Sequence, residues 1–165
     1  MIKRGEKVVV ALGGNSLIKK GEKPTISNQF KNTTNTLKAL LQLINNKNKL
    51  VITHGNGFQV GNILIRVEQS LGKAYAIPLE VCVAESQGEL GYLIEQSLQN
   101  ILVKNKIKIP VVSILTQVIV NKKDSAFKNP TKPIGPFYTK YQANKLKKKG
   151  FKVVEQIGRG WRKVV

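Results

Sequence analysis

Two glycine-rich turns each follow a short apolar stretch, and their residue types suit the binding of an anion. One turn follows residues 7–12 and the other follows residues 50–54; together they contain Gly13, Gly14, Asn15, Gly55, Asn56 and Gly57. Glycine tolerates positive φ and lets backbone N–H groups approach an anion closely, and a helix after such a turn adds partial positive charge. The two turns therefore predict a cradle for a phosphoryl group or a small carboxylate. Ordinary strand-to-helix connections use the same residue types, and that alternative stays open.

A single lysine, Lys132, stands among prolines in the stretch 129–136. Proline fixes the backbone, so the reach of this side chain is set in advance. A lysine in a chain that holds 24 of them is ordinarily a solvent-facing residue, whereas a cation on a rigid loop is suited to phosphate. Lys132 is the candidate catalytic residue, and the solvent-facing interpretation is the alternative.

Other residues capable of chemistry are few. His54, beside the second turn, could act as a base, although a lone histidine at the end of a strand is more often structural. Cys82 lies on the apolar side of a predicted helix, so we expect it to be buried and unreactive. One histidine and one cysteine exclude a His/Cys zinc cage, and we predict no metal site. A single cysteine permits no internal disulfide, which is typical of the cytoplasm.

The sequence does not contain the P-loop or dinucleotide-binding motif. The P-loop pattern of Gly-x4-Gly-Lys-Ser/Thr is absent, and residues 55–61 read G-x-G-x-x-x-G, one residue too long for the dinucleotide fingerprint. A P-loop enzyme is therefore excluded on pattern, and a Rossmann oxidoreductase is the weaker alternative.

Apolar periodicity places these residues on alternating strands and helices. The predicted strands are 7–12, 50–53, 111–115 and 118–120, and the predicted helices are 27–44, 60–71 and 79–103. Strands separated by helices of this length predict parallel βαβ units with helices on both faces of one sheet. No apolar run approaches the roughly 20 residues that a membrane span needs.

Residues 121–165 do not continue the alternation of strands and helices. Residues 121–137 hold three prolines and predict a structured loop without a helix or central strand of its own. A short basic helix is predicted at 139–149, and a β-hairpin at 151–165.

The charge is strongly positive, at +19 for 165 residues. It is uneven, because residues 66–96 carry five acids and two bases, a net −3, which leaves +22 for the rest. Only 4 of the 28 basic residues are arginine, the residue that base reading and bidentate phosphate contacts favour. A solvated lysine-rich surface explains the charge better than nucleic-acid binding, which stays as an alternative function.

Several stretches resemble the N-terminal half of the carbamate kinase pattern, within the amino-acid-kinase superfamily. The stretches are 8–15, 53–57, 59–61, 78–82, 86–88, 129–138 and 158–162. The proline-rich string at 129–138 is the most specific of them. The resemblance implies a three-layer αβα sandwich with a mainly parallel sheet, truncated here. It implies a carbamate-binding lobe over 1–120, a protruding lid subdomain with a return hairpin over 121–165, and no C-terminal nucleotide-binding lobe.

The resemblance also implies an activity. Carbamate kinase reversibly transfers a phosphoryl group between ATP and carbamate to give carbamoyl phosphate, in the cytoplasm, in arginine catabolism by the deiminase route. Lys132 would be catalytic, the residues of the two turns would bind substrate, and ATP or ADP with Mg²⁺ would bind mostly in the missing half. The partner would be a second copy or a complementary C-terminal half. Without that half we expect the chain alone to be inactive; the alternative is a non-catalytic remnant that binds a small anion.

Overall fold

The computed structural model describes residues 3–19, 21–45 and 47–165, without the side chain of Asn15. The elements, in chain order, are β1 (Lys7–Leu12), α1 (Ile26–Lys38), α2 (Leu41–Asn45), β2 (Lys49–His54), α3 (Gly57–Ser70), α4 (Leu79–Lys104), β3 (Pro133–Tyr138), α5 (Lys140–Lys148), β4 (Val153–Gln156) and β5 (Gly160–Val164). The chain divides into two compact units. Unit 1 comprises residues 1–56 and 87–115, and unit 2 comprises residues 57–86 and 116–165.

Unit 1 is built on the parallel pair of β1 and β2, in register from Lys7 opposite Lys49 to Leu12 opposite His54. Side chains of a strand alternate between its two faces, and one face of this pair is half-buried, with Leu12 fully buried. That face packs on a core supplied by α1, α2 and the later part of α4; the buried members are Leu12, Leu37, Leu40, Ile44, Ile94, Leu98, Ile101 and Leu102. The α/β class predicted from the sequence is confirmed.

The helix predicted at 27–44 is two helices, α1 and α2. Thr25 caps the start of α1 by accepting a hydrogen bond from the Asn28 amide at 3.2 Å. The last turn then tightens, because the amides of Ala39 and Leu40 bond three residues back rather than four. Residues on both sides of this break still reach the same core. α2 ends at Asn45, one residue beyond the predicted end at residue 44, and Asn46 lies outside the described residues.

Unit 2 contains α3, the first residues of α4, α5 and a three-stranded antiparallel sheet in the order β3–β5–β4. Its core joins Val60 and Ile63 of α3 to Cys82 of α4 and Ile134 of β3. The basic helix predicted at 139–149 is α5, which begins with a capping box between Thr139 and Gln142. The predicted hairpin is the pair of β4 and β5.

Residues 121–137 were predicted to be a structured loop without a helix or central strand, and the structure adds an edge strand, β3, at the end of that segment. β3 contains Pro133 and Pro136 and is an edge strand, where one side needs no hydrogen-bonded partner, so proline is tolerated. Its pairing with β5 is irregular between Ile134 and Tyr138, and Gly135 lies there at φ +76°. That conformation favours glycine and bends the strand.

The strands predicted at 111–115 and 118–120 are wrong. These residues form no strand in the described part of the chain, and β1 and β2 pair only with each other there. Val112, Ile114, Val118 and Ile119 are largely exposed. Valine-rich composition favours a strand, but a strand also needs a partner for its backbone N–H and C=O groups, and the described residues supply none.

No helix among the described residues combines the length and the apolarity that crossing a membrane requires.

Gly160, which starts β5, should not tolerate a side chain. It lies at φ +112°, and an added Cβ would be 3.0 Å from the Tyr138 carbonyl oxygen. We expect Gly160→Ala to lower the free energy of unfolding by about 1–3 kcal/mol. Gly88→Ala is the control, because Gly88 is helical with open space around it, and alanine there should raise the stability by up to about 1 kcal/mol. Urea denaturation followed by circular dichroism measures both, and equal stability of the two variants would contradict the strain.

Candidate functional site

The two glycine turns leave the same end of the parallel strand pair. Leu12 and His54 are the last partners in the register, so Gly13 and Gly55 follow two neighbouring strand ends. Ligands of open parallel sheets bind beyond the carboxyl ends of the strands. The structure therefore brings Gly13, Gly14, Asn15, Gly55 and Asn56 to one edge of unit 1. Gly57, the next residue along the chain, is the first residue of α3 and is assigned to unit 2.

The glycines of these turns are not there for positive φ, contrary to the sequence argument. Gly13 has φ −78° and ψ 167°, and Gly14, Gly55 and Gly57 are likewise absent from the positive-φ residues of the described chain. A Cβ built on any of the four would meet no described atom within 4 Å. Neither the backbone conformation nor the packing of the chain requires glycine here. What glycine provides is open space over the backbone, which a group from outside the chain can approach closely.

The backbone amides of the first turn also suit the binding of an anion. The turn is a short 3₁₀ helix, Gly14–Ser16, in which the Gly13 and Gly14 carbonyls accept hydrogen bonds from the Ser16 and Leu17 amides at 2.9 and 3.1 Å. Among the described groups, no backbone acceptor receives the amides of Gly13 or Gly14. Exposed backbone N–H groups in sequence form an anion-binding concavity.

Side chains of helix α1 hold the first turn in place, and the sequence did not predict these contacts. The Asn32 amide donates to the Leu17 carbonyl at 3.2 Å, and the Thr36 hydroxyl donates to the Ser16 carbonyl at 3.4 Å. Asn32 also donates to Glu22 and is buried. Two polar residues four positions apart on the inward face of an amphipathic helix were the available signal, because buried polar side chains must find partners.

His54 makes a local contact of the kind that a structural histidine at the end of a strand makes. Its Nδ1 lies 3.2 Å from the carbonyl oxygen of Gly55, the next residue, and the side chain is half-buried at the end of β2. This contact braces the second turn at its first residue.

Lys132 is an exposed residue immediately before β3, within unit 2. Its amide donates to the Val165 carbonyl and its carbonyl accepts from the Val165 amide, each at 3.0 Å. The backbone of Lys132 is therefore fixed by pairing with the residue after β5. The prolines alone suggested a rigid loop; the structure shows a strand-like backbone pair, with the ammonium group left in solvent.

The sheet that carries Lys132 is fastened to α3 through Glu68, which sequence reasoning also missed. The Tyr138 hydroxyl of β3 donates to the Glu68 carboxylate at 3.3 Å, and Lys163 of β5 forms an ion pair with it. The Lys163 ammonium also lies 4.2 Å from the centre of the Phe151 ring. Partial burial, then the charge of Glu68 and the hydrogen bond to it, raises the pKa of Tyr138 to about 12. These partners are 70 and 95 residues apart in sequence, so no local pattern indicates them.

A backbone contact completes this attachment. An added Cβ on Gly61 of α3 would be 3.8 Å from the Cα of Gly135 in β3, an ordinary van der Waals contact. The Arg162 side chain donates to the Gly135 carbonyl at 3.0 Å. The strand β3 is thus held on both sides, by α3 and by β5.

Cys82 is fully buried, as expected. Burial, followed by the charge of Glu85, raises the pKa of its thiol. The thiolate is the reactive form, so this cysteine is suited to packing and not to nucleophilic chemistry.

The described residues offer no ready-made cation cage. Across 3–19, 21–45 and 47–165, no three His, Cys, Asp or Glu side chains form a group that could hold a metal ion. The groups that this chain provides at the strand ends are hydrogen-bond donors, which suit an anion.

In an α/β unit, open glycine turns at the carboxyl ends of parallel strands are an arrangement suited to the binding of an anion. Comparison with known proteins makes this specific. The chain is 51% identical to the carbamate kinase of Pyrococcus horikoshii over 163 residues, which are 97% of the chain and 52% of that protein. It is 46% identical to the carbamate kinase of Trichomonas vaginalis over 161 residues, 96% of the chain and 51% of that protein.

Comparison with solved structures also finds a carbamate kinase. The structure of the Giardia lamblia carbamate kinase bound to AMP-PNP matches with a TM-score of 0.86 and 40% identity, over 98% of this chain and 52% of that one. No protein-family model matches the chain. The resemblance to one half of a carbamate kinase, and the α/β fold that it implied for this part, are thereby confirmed. The chain spans about half the length of the curated relatives it matches.

Replacing Glu68 should lower the pKa of Tyr138. In Glu68→Gln the carboxylate charge is gone, so we expect the pKa of Tyr138 to fall from about 12 towards its ordinary value near 10. The measurement is tyrosinate absorbance against pH, with Tyr138→Phe in each background to isolate this residue. Glu155→Gln, on an exposed residue of β4, is the control and should leave the titration unchanged.

The same titration has a consequence for stability. Because the folded-state pKa lies above the unfolded value, the contribution of neutral Tyr138 is fully present below about pH 10 and is lost as the pH rises towards 12. Because Glu68→Gln lowers the pKa of folded Tyr138, the stabilising contribution should then be lost over a narrower pH range above about pH 10. An unchanged Tyr138 titration in Glu68→Gln would show that the carboxylate does not act on this hydroxyl.

Proposed function

We propose that this chain supplies the carbamate-binding half of a carbamate kinase, which reversibly converts ATP and carbamate to ADP and carbamoyl phosphate. The observation that carries the proposal is the pair of open glycine turns at neighbouring strand ends, where neither conformation nor packing explains the glycines. Similarity to carbamate kinases along essentially the whole chain supports it.

The reaction requires few catalytic groups from this half of the fold. Carbamate is already an anion, so its oxygen can attack the γ-phosphorus without a general base, while the bond from that phosphorus to the ADP oxygen breaks. Catalysis then rests on alignment and on neutralising the charge of the group in transfer. We assign the amides of Gly13, Gly14, Gly55 and Gly57 as donors to the anion, Asn15 and Asn56 as orienting residues, and Lys132 as the source of positive charge.

The rest of the machinery belongs to the second half of the fold. ATP or ADP with Mg²⁺ would bind there, and no step proposed for this chain runs through the metal. The lobe over 1–120 would hold carbamate and the subdomain over 121–165 would serve as its lid. We place the reaction in the cytoplasm, in arginine catabolism.

One further candidate is a non-catalytic protein that binds a small anion through the same turns, whose backbone is open to approach from outside the chain. Both candidates share the binding site and differ only in turnover, so binding and activity are tested separately.

Binding of carbamoyl phosphate tests the assigned residues. We expect a measurable heat of binding by isothermal titration calorimetry, and at least a tenfold loss of affinity in Lys132→Ala, since a hydrogen bond to a charged group contributes about 1.5–3 kcal/mol. Lys123→Ala, an exposed lysine nine residues earlier, is the matched control and should bind normally.

Gly57→Ala refines this test. The fold leaves room for the added methyl, so we expect stability to be kept and affinity to be lost. The absence of heat with the intact chain, or equal affinity in Lys132→Ala and Lys123→Ala, would contradict the assignment.

Activity requires completion of the fold. We expect no ATP from carbamoyl phosphate and ADP with this chain alone in a coupled assay. ATP should form when the chain is co-expressed with the second half of the Pyrococcus horikoshii carbamate kinase, because that half would supply the nucleotide site. No ATP in either case would leave only the anion-binding candidate, and ATP from the chain alone would show that the second half is not needed.

A further inference from the structure

Asn56 and Gly57 form the only Asn–Gly step among the 14 asparagines of the chain, and this step lies in the second glycine turn. Asparagine before glycine loses its side-chain amide most readily, because glycine has no side chain to keep its backbone nitrogen away from the asparagine carbonyl carbon. The first turn contains a comparable step, Asn15–Ser16, in which the second residue is also small. Each turn therefore carries an asparagine whose sequence permits loss of the amide.

The backbone nitrogen that follows each asparagine differs between the two turns. The amide of Ser16 donates to the Gly13 carbonyl at 2.9 Å, so this nitrogen is held in the 3₁₀ turn. The amide of Gly57 has no described backbone acceptor, because Gly57 is the first residue of α3 and the first amides of a helix have no partner within it. Gly57 is also exposed, and a Cβ built on it would meet no described atom within 4 Å. The structure therefore holds the nitrogen of one step and leaves that of the other open.

The start of α3 also favours this reaction electrostatically. The backbone nitrogen must lose its proton before it attacks, and the carbonyl oxygen of the attacked group gains negative charge. Helix α3 is 14 residues long, and the positive end of its dipole lies at Gly57. The partial charge that suits an external anion therefore stabilises both negative charges of the reaction as well.

We propose that Asn56 is a site of spontaneous deamidation that disables the second turn. The Gly57 nitrogen gives its proton to water and bonds to the side-chain carbonyl carbon of Asn56. The bond from that carbon to the side-chain nitrogen then breaks, and this nitrogen takes a proton from water and leaves as ammonia. Water opens the resulting five-membered imide at one of its two carbonyls, which gives an aspartate or an isoaspartate. One water is consumed and one ammonia is released, and the reaction takes place within two consecutive residues.

Either product would weaken the binding of an anion, and this consequence rests on the proposed function. The new carboxylate follows Gly55 and precedes Gly57, so its negative charge repels an anion held by their amides. An isoaspartate also lengthens the backbone by one carbon, which displaces the Gly57 amide. A bound anion would conversely accept the hydrogen bond of the Gly57 amide and so protect Asn56. The turn is then lost with age in the empty protein and kept in the loaded one.

The test follows Asn56 and Asn15 in the same sample of the full chain by peptide mass spectrometry, since deamidation raises the mass of a peptide by one dalton. One sample is kept folded in neutral buffer, and a second is unfolded in guanidinium chloride. Folding should slow the conversion of Asn15 by about tenfold more than that of Asn56, because only the Ser16 amide is held by a hydrogen bond. An equal effect of folding on both asparagines would overturn the proposal.

Gly57→Ala tests the attacking nitrogen directly. The added methyl hinders the attack, so the conversion of Asn56 should slow by about tenfold. Gly88→Ala adds the same methyl in open space on α4 and should leave the rate unchanged. Circular dichroism checks that both variants fold. A rate of conversion that Gly57→Ala does not lower would contradict attack by this nitrogen and overturn the proposal.

The disabling effect is measured separately, by calorimetry with phosphonoacetamide, a stable analogue of carbamoyl phosphate. Asn56→Asp carries the charge of the product and should bind the analogue at least about tenfold more weakly than the intact chain. Saturating analogue should also slow the conversion of Asn56. Equal affinity of Asn56→Asp and the intact chain would overturn the disabling effect. No binding by the intact chain would contradict the proposed function, and with it the disabling effect, while the mass spectra would still decide the chemistry at Asn56.

Discussion

The in-register parallel pairing of β1 with β2 is the constraint on which the candidate site depends. Parallel strands in register end together, so the turn after Leu12 and the turn after His54 must leave from neighbouring points. A shift of one strand by one residue would turn its inward side chains outward and remove from the core either Val10 of β1 or Leu50 and Ile52 of β2. The burial that stabilises unit 1 is thus the same interaction that places the two turns side by side.

The three-stranded sheet of unit 2 is positioned differently, by a polar attachment to a helix. Glu68 of α3 receives both the Tyr138 hydroxyl and the Lys163 ammonium, and these come from the edge strand and the central strand of the sheet. Lys132 has its backbone paired with Val165 at the end of β5. One carboxylate therefore fixes both strands that hold the lysine, although it touches neither Lys132 nor Val165 in any described contact.

The sequence could predict the parts of this fold whose signals are local. Short apolar runs before glycine turns marked β1 and β2, apolar periodicity marked α3 and α4, and the short basic stretch 139–149 marked α5. Local signals failed where the outcome depends on a partner. The run 111–120 has the composition of a strand but lacks a strand to pair with, and β3 became a strand despite its prolines because it pairs on one side only. The supports of the site, Asn32 and Glu68, act across 10 to 95 residues, and their roles follow from the folded arrangement alone. The position of the two turns after two strands was predicted from the sequence, although their glycines do not have the positive φ that the sequence argument allowed.

Those four glycines also bear on how the two turns could be altered. None of Gly13, Gly14, Gly55 and Gly57 has a positive φ, and a Cβ added at any of them would meet no described atom within 4 Å. Alanine at these positions should therefore leave the fold intact, so the space over the two turns can be narrowed one methyl group at a time. Access to the backbone of the turns is thus separable, by substitution, from the pairing of the strands that carry them.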